Sequence, residues 1–472
     1  MAAIALTKEQ QRLVEFVPQG NLLIRGEAGS GKTTVLAARA GRIKEINRDG
    51  RMLFITYNRS LVGYVTMLMA RSGLAGEIDI LTFHEWARKF VDELGGPVGM
   101  HIKEKKKEEK IGEFLGKLAP QWSKNHLYNQ PLDFWLEEIN WIFGQAIETF
   151  EEYMKKPRTG RGTAVQVRGE DRAFVWEVFK QYRNYLLQEN LVDLDDPAWQ
   201  VLRTVRERGG FLPEQQYDHV FIDEVQDFNL SWLMCLSPIP KVSLTLAGDL
   251  AQRIYRRNFT WKEAGLEIPA ARSHKLVGSH RTTKQIMQVA LHVATNYDLQ
   301  SNEDYIPPTL PERSGPKVIK IERETWWDAQ DAALRFAAKL SRQYPGERVV
   351  VADFFNKRLS EIVQRLRSIG ANAMLAKRED FKHFFSGVLV TTYHQLKGLE
   401  FEHIVLLSLE DRTMPEFFFQ RSDSELPVEK EQYLRRLLYV AMTRSKKTLT
   451  LCGGRPFSRF FKDVPADLFV MI

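Results

Sequence analysis

Short uninterrupted apolar runs alternate along this chain with stretches whose apolar residues recur every three or four positions. The first pair is "NLLIRG", at residues 21–26, followed by a helical pattern from Lys32 to Ile46. "RMLFITYN" is a second short run, and "IDILTFHEWARKF" a third that passes directly into helical spacing. Brief apolar runs bounded by turn residues predict buried strands, and a 3.6-residue period predicts amphipathic helices. Strands alternating with helices predict a parallel sheet. From about 86 to 200 the pattern is helical throughout and rich in Trp, Phe, Lys and Glu. Strand texture returns with "YDHVFIDEVQDF" and "KVSLTLAGDLAQ", and from about 270 further strands follow in "RVVVADFF", "GVLVTTYH" and "HIVLLSL". The pattern thus predicts two α/β units, the first (1–85 with 216–268) interrupted by a helical insertion (86–215), the second spanning 269–472.

Charge changes this picture in two places. "HIKEKKKEEK" mixes signs at helical spacing and is expected to form an exposed helix face. "KKPRTGRGTAVQVRG", residues 155–169, is basic and glycine-bearing and reads as a loop. Its Lys155, Lys156, Arg158, Arg161 and Arg168 either meet phosphates or simply solvate the loop.

Composition narrows the class. The 472 residues are 44% apolar and 27% charged with a formal charge of +7, which permits a polyanionic partner without requiring one. Two cysteines, Cys235 and Cys452, make no disulfide framework and match no zinc spacing. The N-terminus lacks the pattern of a secretory signal, and no run reaches the roughly 18 apolar residues of a membrane span. The expectation is a cytoplasmic protein without membrane contact.

Candidate chemistry begins at "LIRGEAGSGKTTVLAAR". Gly26, Gly31, Lys32 and Thr33 fit G-x-x-x-x-G-K-S/T between a strand and a helix, the phosphate-cradling P-loop. Its glycines let main-chain N–H groups face phosphates at a helix N-terminus. Lys32 would neutralise β/γ-phosphate charge, and the Thr33 hydroxyl would ligate magnesium. "VFIDEVQDF" ends a strand in adjacent acids: Asp223 suits a role on magnesium, and Glu224 suits a general base that polarises water, which favours hydrolysis over transfer. Gln252, after "LTLAGD", can hydrogen-bond a γ-phosphate, although a surface glutamine is the commoner case. Arg281 and Arg444, far beyond the first α/β unit, can stabilise charge on a transferring phosphoryl group if both reach it.

The ordered series "LTKEQQRLV", "GEAGSGKTT", "FITYNRSL", "LTFHEWA", "FIDEVQDF", "LAGDLAQRIY", "LVGSHRT", "VLVTTYHQLKGLEFEHIV" and "LLYVAMTRSKK" resembles the motifs of superfamily 1 helicases of the UvrD/Rep type, from residue 6 to about 447. The resemblance implies two RecA-like parallel-sheet motor domains that bind ATP and magnesium, translocate on single-stranded DNA, usually 3′ to 5′, and unwind duplex. Carried over by position, Gln10 reads the adenine edge; Gly29, Ser30, Gly31, Lys32, Thr33 and Thr34 hold phosphates; Glu400 contacts ribose. Asp223 and Thr33 serve magnesium, Glu224 the attacking water, Gln252 the γ-phosphate, and Arg281 and Arg444 act as arginine fingers.

The implied DNA track comprises Thr56, Asn58, Thr82, Phe83, His84, Tyr255, Thr392 and His394. Hydroxyls and amides suit phosphates, and rings can stack on any base, with core packing the competing role for Phe83 and Tyr255. The chain departs from the pattern at His280 and Arg257, where the family carries aromatic residues. It also leaves only about 30 residues between "VADFFNKR" and "GVLVTTYH", too few for the large helical insertion that relatives carry in the second core domain. Single-stranded DNA and duplex junctions are the implied partners, with a protein partner in repair or phage defence possible. The other reading is a DNA-stimulated ATPase that remodels protein–DNA complexes or activates a nuclease partner.

Overall fold

The computed structural model describes residues 6–26, 30–57, 59–94, 99–158, 165–194, 196–248, 259–276, 282–294, 310–376, 380, 385–396, 399–414 and 428–472. Two all-parallel sheets organise them. The first has six strands in the order Asp79–Thr82, Met52–Thr56, Tyr217–Ile222, Pro240–Gly248, Gly20–Gly26, Ser273–Leu276. Alternate residues feed opposite cores, as the two-residue strand period requires. Leu22, Ile24, Met52, Phe54 and Phe221 meet Val35, Leu36 and Ile43 of the helix Lys32–Ile46, while Leu23, Leu53, Ile55, Val220 and Ile222 meet Trp86, Phe90, Leu233 and Leu236 on the other face. Both faces are covered, so the strands read as continuous apolar runs rather than alternating ones.

The pairing of Ser273–Leu276 with Gly20–Gly26 carries the first sheet past residue 268, where sequence texture placed its end. Nor do all the helices between residues 86 and 215 pack apart from this sheet. Trp86, Phe90 and Val91 of the helix Phe83–Glu93, and Ala198 and Val201 of the helix Asp196–Glu207, belong to the first sheet's core. Between them, Glu104–Trp122, Leu132–Gly144 and Glu170–Gln188 enclose a separate core around Trp135, Phe143, Phe174 and Tyr182.

Two charged groups expected at the surface are consumed inside this helical layer. Lys107, in the mixed-charge run, is buried and its Nζ lies 2.6 Å from Asp193 Oδ2. Arg158, in the basic loop, binds the fully buried Glu138 through Nε (2.9 Å to Oε1) and Nη2 (2.6 Å to Oε2). Removing one partner of such a pair strands the other charge away from water. Arg158→Met is therefore expected to destabilise the helical layer by about 3–5 kcal/mol, read by chemical denaturation followed through tryptophan fluorescence.

The second sheet has seven strands in the order Ala373–Leu375, Val388–Thr392, Val349–Asp353, Phe401–Leu406, Ser445–Gly454, Val318–Arg323, Phe469–Met471. Its faces split the same way: Val350, Ala352, Ile404 and Leu406 line one core, Val349, Val351 and Val405 the other. Between Asp353 and Val388 the described chain forms the helix Leu359–Ser368 and the edge strand Ala373–Leu375, an ordinary crossover in place of a large insertion. No helix among the described residues is long and apolar enough to cross a membrane.

Candidate ATP-hydrolysis site and nucleic-acid track

Five residues separate the end of the strand Gly20–Gly26 from the start of the helix Lys32–Ile46. Gly31 makes the last step at φ 84°, in the left-handed region open to glycine, and a Cβ there would lie 2.6 Å from Gln10 Nε2. A Cβ on Gly26 would lie 2.3 Å from Ser30 Oγ. Gln10 Nε2 donates to the Ser30 carbonyl at 2.9 Å, which ties the first helix to the loop. Lys32 Nζ donates to the Gly26 carbonyl at 2.9 Å. Thr34 follows in the same first turn, half-buried.

The strand Tyr217–Ile222 delivers Asp223 beside this loop. Thr33 Oγ1 donates to Asp223 Oδ2 at 2.6 Å, so two residues 190 positions apart present adjoining oxygens. Asp223 is fully buried; burial first, and the neighbouring Glu224 charge second, push its carboxyl above the usual range, partly offset by the Thr33 hydroxyl and Lys32. A hard divalent cation suits this pair, since it takes oxygen ligands and would hold the carboxyl ionised. Among the described residues Ser30 Oγ is buried without a hydrogen-bond partner, a donor that fits a phosphate oxygen. The donor set therefore fits magnesium-bound ATP.

Glu224 occupies φ 54°, ψ 39°, a left-handed conformation rare for a residue with a Cβ and typical of strained functional positions. Gln226 Nε2 donates to Glu224 Oε2. Sequence reasoning gave Gln226 no role; its place two residues after the acid in "DEVQD" was the available signal.

In the second sheet, Arg444 and Glu400 each stand immediately before a strand, Ser445–Gly454 and Phe401–Leu406, which are neighbours. Arg444 lies between the helix Val428–Met442 and the strand Ser445–Gly454, buried, its Nε donating to the Val440 carbonyl at 3.2 Å. Its own carbonyl accepts from Phe401 N–H at 3.1 Å, and Glu400 Oε2 sits 3.2 Å from Lys446 Nζ. Gly29, Asn58, Gln252, Tyr255 and Arg281 lie outside the described residues.

The remaining candidates for the DNA track stand at or just past strand ends of the two sheets. Thr56 and Thr82 are register partners on neighbouring strands, the carboxyl edge where open α/β sheets bind ligands. Thr56 Oγ1 is buried without a partner among the described residues, whereas the Thr82 hydroxyl caps the helix Phe83–Glu93. Phe83 does not fit its stacking role. Its ring is fully buried and stacks on Trp232 at 4.6 Å between centroids, so apolar burial has claimed it for the core. His84 bonds Leu194 O through Nε2 at 2.9 Å, and burial lowers its pKa, leaving a neutral ring as donor. Thr392 is buried at the end of its strand, while exposed His394 pairs with the Tyr433 hydroxyl at 2.6 Å.

Comparison with known proteins supplies the family. Residues 6–273 match the UvrD/REP helicase N-terminal domain, and residues 348–453 the UvrD-like helicase C-terminal domain. A "Probable DNA helicase" of Mycoplasma pneumoniae is 24% identical over 94% of this chain and 83% of its own length. A "Probable DNA helicase II homolog" of Mycoplasma capricolum and the "ATP-dependent DNA helicase PcrA" of Leuconostoc citreum are each 26% identical, over 62% and 66% of this chain. The matches span only 41% of each of those two longer proteins. With a P-loop threonine bonded to the strand-end aspartate of "DEVQD", and both domain matches in order, the chain belongs to the UvrD/Rep family of superfamily 1, ATP-dependent DNA helicases.

Proposed function

We propose that this chain is a motor that hydrolyses ATP between its two sheet domains and moves on single-stranded DNA in the 3′ to 5′ direction, separating duplex ahead of it. The Thr33–Asp223 hydrogen bond beside Glu224 is the observation that carries this reading, because it joins the magnesium residues to a base at one point. Magnesium-bound ATP supplies the scissile phosphoanhydride and the cation that offsets its charge. Lys32 and the main-chain N–H groups after Gly31 hold the phosphates, and Glu224 accepts the proton of the attacking water as the water oxygen bonds to the γ-phosphorus and the bridging bond breaks to release ADP. Gln10 reads the base, Glu400 the ribose, and Gln252, Arg281 and Arg444 meet the γ-phosphoryl group. Thr56, Asn58, Thr82, His84, Tyr255, Thr392 and His394 grip the strand. The helices between 99 and 190 act as an accessory domain at the duplex junction, and the enzyme works in the cytoplasm.

The compact crossover between Asp353 and Val388 favours a second reading, a DNA-stimulated ATPase that displaces bound proteins or serves a nuclease partner with little unwinding of its own. Single-stranded DNA is expected to raise the ATPase rate, and the stimulation should fade between about 50 and 200 mM salt as phosphate contacts release counterions. Unwinding of 3′-tailed but not 5′-tailed duplex supports the first reading. Stimulation without unwinding on either tail selects the second, and an ATPase indifferent to DNA rejects both.

A further inference from the structure

Arg39 lies on the P-loop helix about two turns beyond Lys32 and is fully buried. Among the described residues no carboxylate pairs with it. Its Nη1 donates instead to the main-chain carbonyls of Leu13 (2.9 Å), Val14 (3.3 Å) and Phe16 (2.6 Å), and its Nε to Thr245 Oγ1 (3.2 Å). Burial and the charge of Arg272 lower its pKa to about 10, so it remains a cation at neutral pH. A buried charge without a counter-ion is unfavourable unless its hydrogen bonds are nearly complete. Here it gathers the carbonyls that the helix Lys8–Glu15 leaves without partners at its C-terminal end, where a cation also suits the helix dipole.

That helix has eight residues, too short to hold its own orientation in water. Its other end is fixed by a capping box: Gln10 N–H donates to Thr7 Oγ1 at 3.2 Å, and Thr7 N–H to Gln10 Oε1 at 3.0 Å. Gln10 Nε2 also donates to Ser30 O. A carboxamide has two donor hydrogens and two acceptor lone pairs, so one of each remains. Adenine presents an acceptor at N7 beside a donor at N6, a match for that remaining pair; guanine presents acceptors at both N7 and O6, which leaves the lone pair opposed.

We propose that Arg39 is a positioning residue for base selection: by pinning the C-terminal carbonyls of the first helix to the P-loop helix, it holds the Gln10 carboxamide in the orientation that prefers adenine to guanine. The inference rests on the reading of Gln10 as the base contact. Arg39 touches no nucleotide itself. Its guanidinium joins the P-loop helix, the first helix and, through Thr245, the strand Pro240–Gly248. Rotating the first helix would misdirect Gln10 while leaving Lys32 and Thr33 in place.

The test measures DNA-stimulated kcat/KM for ATP and for GTP in the full chain, in Arg39→Lys, Gln10→Ala, the double variant and the milder Thr245→Val. Lysine keeps the charge, but one ammonium cannot span carbonyls from Leu13 to Phe16 and Thr245 together. Arg39→Lys is expected to lower the ATP/GTP preference about fivefold to tenfold, the worth of one hydrogen bond, through KM for ATP and with kcat little changed. Thr245→Val should move the ratio the same way by less. In the double variant, Arg39→Lys should add nothing to Gln10→Ala, the signature of action through one side chain. A preference lost in Gln10→Ala but intact in Arg39→Lys and Thr245→Val overturns the positioning role alone, as do losses that simply multiply in the double variant. A preference that survives Gln10→Ala overturns the base contact and the inference with it.

Discussion

Glu224→Gln is expected to reduce ATP turnover by about 10²–10⁴ while ATP still binds, because a general base contributes on that order and glutamine cannot take a proton. The substitution keeps the side chain's shape and the left-handed backbone at φ 54°. It removes the charge that we propose faces the attacking water and that also raises the pKa of Asp223. Lowering that pKa should strengthen magnesium binding, so nucleotide affinity is expected to hold or rise. Equilibrium binding of a fluorescent ATP analogue and single-turnover hydrolysis would be measured together. A variant that hydrolyses ATP at the wild-type rate would mean that another group receives the proton.

The second large effect is expected at Arg444. Removing an arginine that stabilises the transferring phosphoryl group lowers turnover on the order of 10³ or more. Arg444 is buried and donates to the Val440 carbonyl, so a purely structural role as a helix-end donor competes with the catalytic one. Arg444→Lys separates them. A lysine can still meet a carbonyl, so a structural role predicts near-normal rate alongside near-normal stability. A catalytic role predicts a stable but slow enzyme, since an ammonium does not reproduce the planar fork on phosphate oxygens. Thermal melting beside kcat distinguishes the outcomes, and a fast lysine variant would remove Arg444 from the chemistry.

The two sheets were legible in the sequence because strands buried on both faces become apolar runs too short for helices. Their limits were not. Ser273–Leu276 carries half-buried Ser273 and His274, and its assignment to the first sheet comes from its parallel register with Gly20–Gly26. The helical layer followed from periodicity, but Trp86 and Phe90 face the first sheet rather than that layer, a choice between two apolar surfaces that periodicity cannot make. Lys107 and Arg158 show the same limit for charge: each lies in a stretch that reads as solvated, and only packing reveals the buried carboxylate it meets.

By itself the sequence determined the P-loop, the paired acids and their order along the chain, because a phosphate cradle needs glycines, lysine and a hydroxyl at fixed local spacing. Tertiary structure alone decided that Thr33 Oγ1 and Asp223 Oδ2 stand 2.6 Å apart, that Phe83 stacks on Trp232, that Gln226 bonds Glu224, and that Arg39 bonds the Leu13 carbonyl. The reason is physical. Local spacing constrains groups a few residues apart, whereas contacts between positions 13 and 39, or 33 and 223, exist only once the strands have chosen their neighbours and burial has sorted which side chains remain near the site.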